Sequence, residues 1–154
     1  MSNTVKTENY LNNLIEKSYD AQHGYENAAE VVDNVQLKKW FISQAQRRTE
    51  YAGALINEMN NVNGEAHLSG SFTGDMHRSW TNLKAALSSN KEETILEECL
   101  RGEKATIEEY ENVLEHKSEL PPTIVSILQA QKDEVQSTVN TVKRLEDIAD
   151  DLDR

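Results

Sequence analysis

The sequence predicts an all-α fold, a four-helix bundle with a long helical crossover between its second and third helices. Three observations carry that prediction. Four long stretches place apolar residues three and four apart, the spacing that lines one face of a helix. The two prolines, Pro121 and Pro122, sit together, so the rest of the chain is free to form long helices. The stretch from Asn61 to Asn90, with Gly64, Gly70 and Gly74, far exceeds the roughly 2–8 residues that join neighbouring antiparallel helices. A chain of 154 residues with no repeat or low-complexity tract reads as one domain, long enough to bury a sizeable core.

The first helix is predicted from about Thr4 to Val32, with Leu11, Leu14, Ile15, Ala21, Tyr25, Ala28, Ala29 and Val32 on its apolar face and Ser18 in mid-stripe. Gly24 lies inside it; a mid-helix glycine costs about 1 kcal/mol against alanine, so close approach of another helix is the expected compensation. Asp33-Asn34 breaks the pattern. The second helix runs from near Val35 to about Asn61, antiparallel to the first, on Leu37, Trp40, Phe41, Ala45, Tyr51, Ala52, Leu55, Ile56 and Met59. Gln44 and Arg48 interrupt that stripe where apolar residues are expected.

Gly64 is the expected C-cap of the second helix. The crossover that follows is irregular over Glu65–Phe72, then carries a short helix from about Gly74 to Leu87 with Met76, Trp80, Leu83 and Ala86 on one side. The third helix runs from about Glu92 to His116 on Ile95, Leu96, Cys99, Gly102, Thr106, Tyr110 and Val113, with Glu103 close to the same face. Pro121-Pro122 suit a first helical turn, where a missing N–H is harmless. The fourth helix then extends to about Asp150, with Ile124, Leu128, Gln131, Val135, Val139, Val142, Leu145, Ile148 and Ala149 inward.

The formal net charge of −11 argues against nucleic acid or anionic membrane as partners, since both need a basic surface. No run approaches the roughly 18 apolar residues that span a membrane. The N-terminal residues lack an apolar signal core, and the single cysteine, Cys99, fits a reducing compartment, so a cytoplasmic protein is expected.

Four helices with one long middle connection thread a bundle in the ferritin-like way, which invites a test for a di-metal site. Such sites pair Glu-x-x-His motifs, because residues three apart share a helix face. No Glu-x-x-His occurs in the chain; Asp20-Ala21-Gln22-His23 comes nearest. Polar residues nonetheless gather near the helix midpoints: Asp20, Gln22, Gln44, Arg48, Glu103 and Gln131, with the hydroxyls of Tyr25 and Tyr110. One reading is a structural layer in which Arg48 pairs with Glu103 or Asp20 and the glutamines complete the bonding, the guanidinium bringing permanently the charge a metal would bring. The other is an atypical carboxylate site for iron or manganese on Asp20, Glu98 and Glu103. A second concentration of functional side chains is His77, Arg78 and Trp80 in the crossover, read either as an interaction site or as a tryptophan that pins the crossover to the bundle. Cys99, on the inward stripe, reads as a buried structural thiol.

Several strings carry a family resemblance: Leu11-Asn12-Asn13-Leu14-Ile15-Glu16 with Asp20 and Gly24-Tyr25, His77-Arg78 with Trp80, and Glu98-Cys99 followed by Arg101-Gly102-Glu103 and Tyr110. With these the chain resembles, from about Tyr10 to Asp147, a bacterial group of ferritin-like four-helix-bundle proteins classed as a domain of unknown function. The resemblance implies the bundle strongly and an activity poorly. In such proteins the fourth helix often carries a histidine about eight residues after the position of Gln131, where this chain has Val139. The expected function is therefore non-catalytic: a self-associating protein, a dimer, or one that docks an unknown protein partner, in a stress setting. The expected association surface is the set of large side chains Trp40, Phe41, Phe72 and Trp80. The alternative is a metal-binding or oxidoreductase relative, and small-ligand binding where Gly24 and Gly102 leave room is a third reading.

Overall fold

The computed structural model describes residues 3–66, 80 and 83–152, with side chains described for 6–66, 80 and 83–145. Among the described residues five α-helices follow in order: α1 (Asn3–Val31), α2 (Val35–Asn61), the short α3 (Leu83–Ser89), α4 (Glu92–Leu114) and α5 (Pro122–Leu152). Among the described residues there is no strand. The four long helices form a bundle in which α1 lies beside α2 and α4, and α5 lies beside α4 and α2.

Helix ends follow from local chemistry. Asn34 caps α2, its side chain accepting from the Leu37 N–H at 3.0 Å. At the other end Asn63, not Gly64, adopts the left-handed conformation, with φ 58°. The Asn63 N–H then donates to the Asn60 carbonyl and the Gly64 N–H to the Met59 carbonyl, a Schellman closure. Gly64 has a different reason to be glycine, since a Cβ there would lie 2.6 Å from Met59 Sδ. Pro122 opens α5 as expected, and the N–H groups of Ile124 and Val125 bond the Pro121 carbonyl.

The order of the helix ends fixes the threading. Lys6 reaches Glu119 at 2.9 Å, and Tyr10 stacks on His116. The start of α1 thus lies at the end of α4, while Val32 and Ile95 share a cluster at the opposite end. So α1 runs antiparallel to both α2 and α4, and α2 runs parallel to α4. Consecutive long helices that run parallel in a bundle need a connection along its length, roughly 40 Å for helices of this size. The stretch between Asn61 and Glu92 supplies it.

The apolar interior divides in two. One cluster holds Ala21, Tyr25, Ala28, Phe41, Ile95, Leu96, Cys99 and Val142. The other holds Leu11, Leu14, Ile15, Leu55, Met59, Val113, Ile124, Leu128 and Val135. Polar side chains lie at the level where the two meet. Ile148 and Ala149, expected inward, lie outside the described side chains.

Candidate functional site

Arg48 of α2 and Glu103 of α4 stand on helices that face each other across the bundle diagonal. Both are almost wholly buried, at 1% and 0% exposure. Arg48 Nη1 donates to Glu103 Oε1 at 2.9 Å and Nη2 donates to Oε2, so the fork is bidentate and both carboxylate oxygens are engaged. The guanidinium also lies 5.9 Å from the Tyr25 ring centre and 5.4 Å from that of Tyr51. Burial pulls the Arg48 pKa down, but Glu103 and the tyrosines outweigh it, so the guanidinium stays charged.

The neighbouring polar groups bond in pairs of their own. Tyr110 donates to Gln131 Oε1 at 2.7 Å, and Gln131 reaches the Tyr51 carbonyl with its amide nitrogen. The Thr138 hydroxyl faces two acceptors, Gln44 Oε1 at 3.2 Å and the Glu134 carbonyl at 3.1 Å. Thr106 and Ser18 turn back onto their own helices, to the carbonyls of Gly102 and Leu14. Among the described residues, three buried donors, Arg48 Nε, the Tyr25 hydroxyl and Trp80 Nε1, have no hydrogen-bond partner. Burial first, then Glu103 and Cys99, raises the Tyr25 phenol well above its ordinary pKa. Burial likewise pushes the Cys99 thiol up, far from a thiolate nucleophile at neutral pH.

The predicted polar residues thus separate. Gln44, Arg48, Glu103 and Gln131 lie in the layer. Asp20 is also buried on α1, but Arg48 takes Glu103 and not Asp20. Gln22 points elsewhere: it lines a groove on the outside of the α1–α2 pair, because residues two apart on a helix do not share a face. Glu98 is partly exposed and bonds Arg101 at 2.8 Å, so Asp20, Glu98 and Glu103 do not converge. Among the described residues no group of three His, Cys, Asp or Glu is placed to hold a metal ion. Thr138 and the Tyr51 carbonyl belong to the layer and were not foreseen; a lone threonine on a helix face gives no sequence signal of its partner.

The crossover residue Trp80 is buried at 8% exposure, its indole wedged between α1 and α4. A Cβ on Gly24 would lie 2.6 Å from Trp80 Cε3, and one on Gly102 2.7 Å from Trp80 Cε2. The two glycines therefore make room for this ring and not for a helix or a ligand. Tyr25 meets Trp80 edge-on at 5.4 Å between centres, and Trp40 and Phe41 pack against the same tyrosine. Phe41 is wholly buried and Trp40 partly so, which withdraws these aromatics from the role of an exposed association surface. His77, Arg78 and Phe72 lie outside the described residues. No helix among the described residues is long and apolar enough to cross a membrane.

Compared with known proteins, residues 6–116 match a family described as Domain of unknown function (DUF2383), a span from α1 to the end of α4 that leaves α5 out. No curated protein matches the chain.

Proposed function

We propose that the chain, which belongs to the DUF2383 family of unknown function, is a non-catalytic helical bundle that acts through its surface. It associates with itself or docks a protein partner, and its ferritin-like threading serves to hold shape. The observation that supports this reading is the closure of the centre. Where a bundle of this threading would present carboxylates to a metal, Glu103 gives both oxygens to Arg48, and the guanidinium already neutralises the charge. Gln131 is held by Tyr110 and the Tyr51 carbonyl, and Gln44 faces the Thr138 hydroxyl. Cys99 is buried and free of a disulfide, with its thiol held protonated.

Elemental analysis tests this. Protein purified without affinity-tag metal, then soaked in ferrous iron or manganese and desalted, is expected to carry far less than one metal per chain. Near-stoichiometric metal that disappears in Glu103→Gln would overturn the proposal and establish the carboxylate site.

A further inference from the structure

We infer that two copies of this chain pair through the outer face of the α1–α2 hairpin, with the two-fold axis running along the groove between those helices. The inference rests on the self-associating form of the function proposed above and assigns its surface.

Phe41 and Trp80 are buried and Trp40 partly so, and the exposed large hydrophobics among the described residues are Val35 and Ile42, both on α2. Ile42 lines a groove of about 410 Å³ between α1 and α2. Its floor is apolar, with Ala29 and Ala45. Its walls differ in sign: Glu26 and Glu30 on α1, Lys38 on α2. A chain of net charge −11 resists contact with itself over most acidic surface, so a face carrying both signs is where a second copy meets least repulsion.

The charges also choose the symmetry. An isologous contact sets the same patch on itself, with residue i against j and j against i. A two-fold axis across the groove would lay α1 on α1 and place the Glu26–Glu30 wall on its own copy. An axis along the groove lays α1 over α2 of the second copy, at the same level. Glu30 then meets Lys38 of the second copy, twice by symmetry, and the two Ile42 side chains close over the apolar floor. Helices of 29 and 27 residues side by side offer roughly 800 Å² of face, the share one partner gives to a standard stable interface.

Sedimentation equilibrium on the full chain at low salt and high micromolar concentration tests the assignment, because exposed charge pairs are screened as salt rises. The wild type is expected to show the dimer mass. Glu30→Lys and Lys38→Glu each set like charges face to face and shift the protein to the monomer mass. An equimolar mixture of the two variants regains the dimer, since each carries the wall the other lacks. Ile42→Arg gives a monomer that mixing does not rescue. Circular dichroism melts matching the wild type show that each variant is folded, as substitution of exposed residues allows. A dimer that ignores both charge reversals, or single variants that fail to recover on mixing, overturns this surface and leaves self-association standing. A monomeric wild type overturns both.

Discussion

Asp20 binds its proton more tightly in the folded protein than in the unfolded chain. Burial pushes its carboxyl up from 3.8 to about 7, with Glu16 adding to the rise against Lys17. A native pKa above the unfolded one means that the folded state holds the extra proton between those values. Stability from this group is therefore complete below about pH 4 and is lost as pH rises through 7. Asp20→Asn is expected to flatten the fall in melting temperature between about pH 4 and 7, read by thermal denaturation across that range. An unchanged slope would assign the pH dependence to other groups. Arg48 and Gln44 were legible as polar interruptions of an apolar stripe. Their partners were not fully so, because the choice of Glu103 over Asp20, and of Thr138 for Gln44, depends on how each helix is rotated. Gln22 shows the limit of grouping residues by distance from a helix midpoint: it shares a level with Asp20 and faces outward.

At the scale of the element, α2 was readable to both ends because Asp33 and Asn34 break the pattern before it and its apolar stripe runs out at Val62, one residue past its end at Asn61. The reason for Gly24 was not readable, since the ring that needs it comes from the distant crossover. That difference makes a prediction with two signs. Gly53 lies in α2 with nothing within 4 Å of an added Cβ. Gly53→Ala should then stabilise by about 0.5–1 kcal/mol through helix propensity and loss of unfolded-chain freedom. Gly24→Ala and Gly102→Ala gain the same propensity but press on the Trp80 indole, and overpacking of about 1–3 kcal/mol outweighs it. Trp80→Ala should cost roughly 3–5 kcal/mol. In the Trp80→Ala background Gly24→Ala should cease to destabilise, a non-additivity measured by urea denaturation of the four-protein cycle. Additive effects would place the indole away from the glycine. The predicted short helix over Gly74–Leu87 is met only in part by the described helix Leu83–Ser89, which Asn90 closes with φ 57°; residues 74–79 and 81–82 lie outside the described residues.

For the molecule as a whole, the threading was the most legible property, because a connection from Asn61 to Asn90 can join parallel helices and is too long for a hairpin. Whether the polar centre is a scaffold or a working site was not legible: a buried arginine beside a carboxylate reads the same in either case until both oxygens are seen to be engaged. In the function proposed above the centre only supports the fold. Removing one partner of a buried ion pair strands the other charge and costs about 3–5 kcal/mol, whereas replacing both with apolar residues of similar volume is often neutral or stabilising. Arg48→Met and Glu103→Leu should each lower stability by that amount alone, and the double variant should melt near the wild type. The most direct test is the solution mass of that double variant by light scattering, beside the wild type. Both are expected to show the dimer mass proposed above, since an interior without a functional role can be made apolar without altering the surface. A double variant that melts like the wild type but no longer associates would contradict that proposal and return the function to the centre of the bundle.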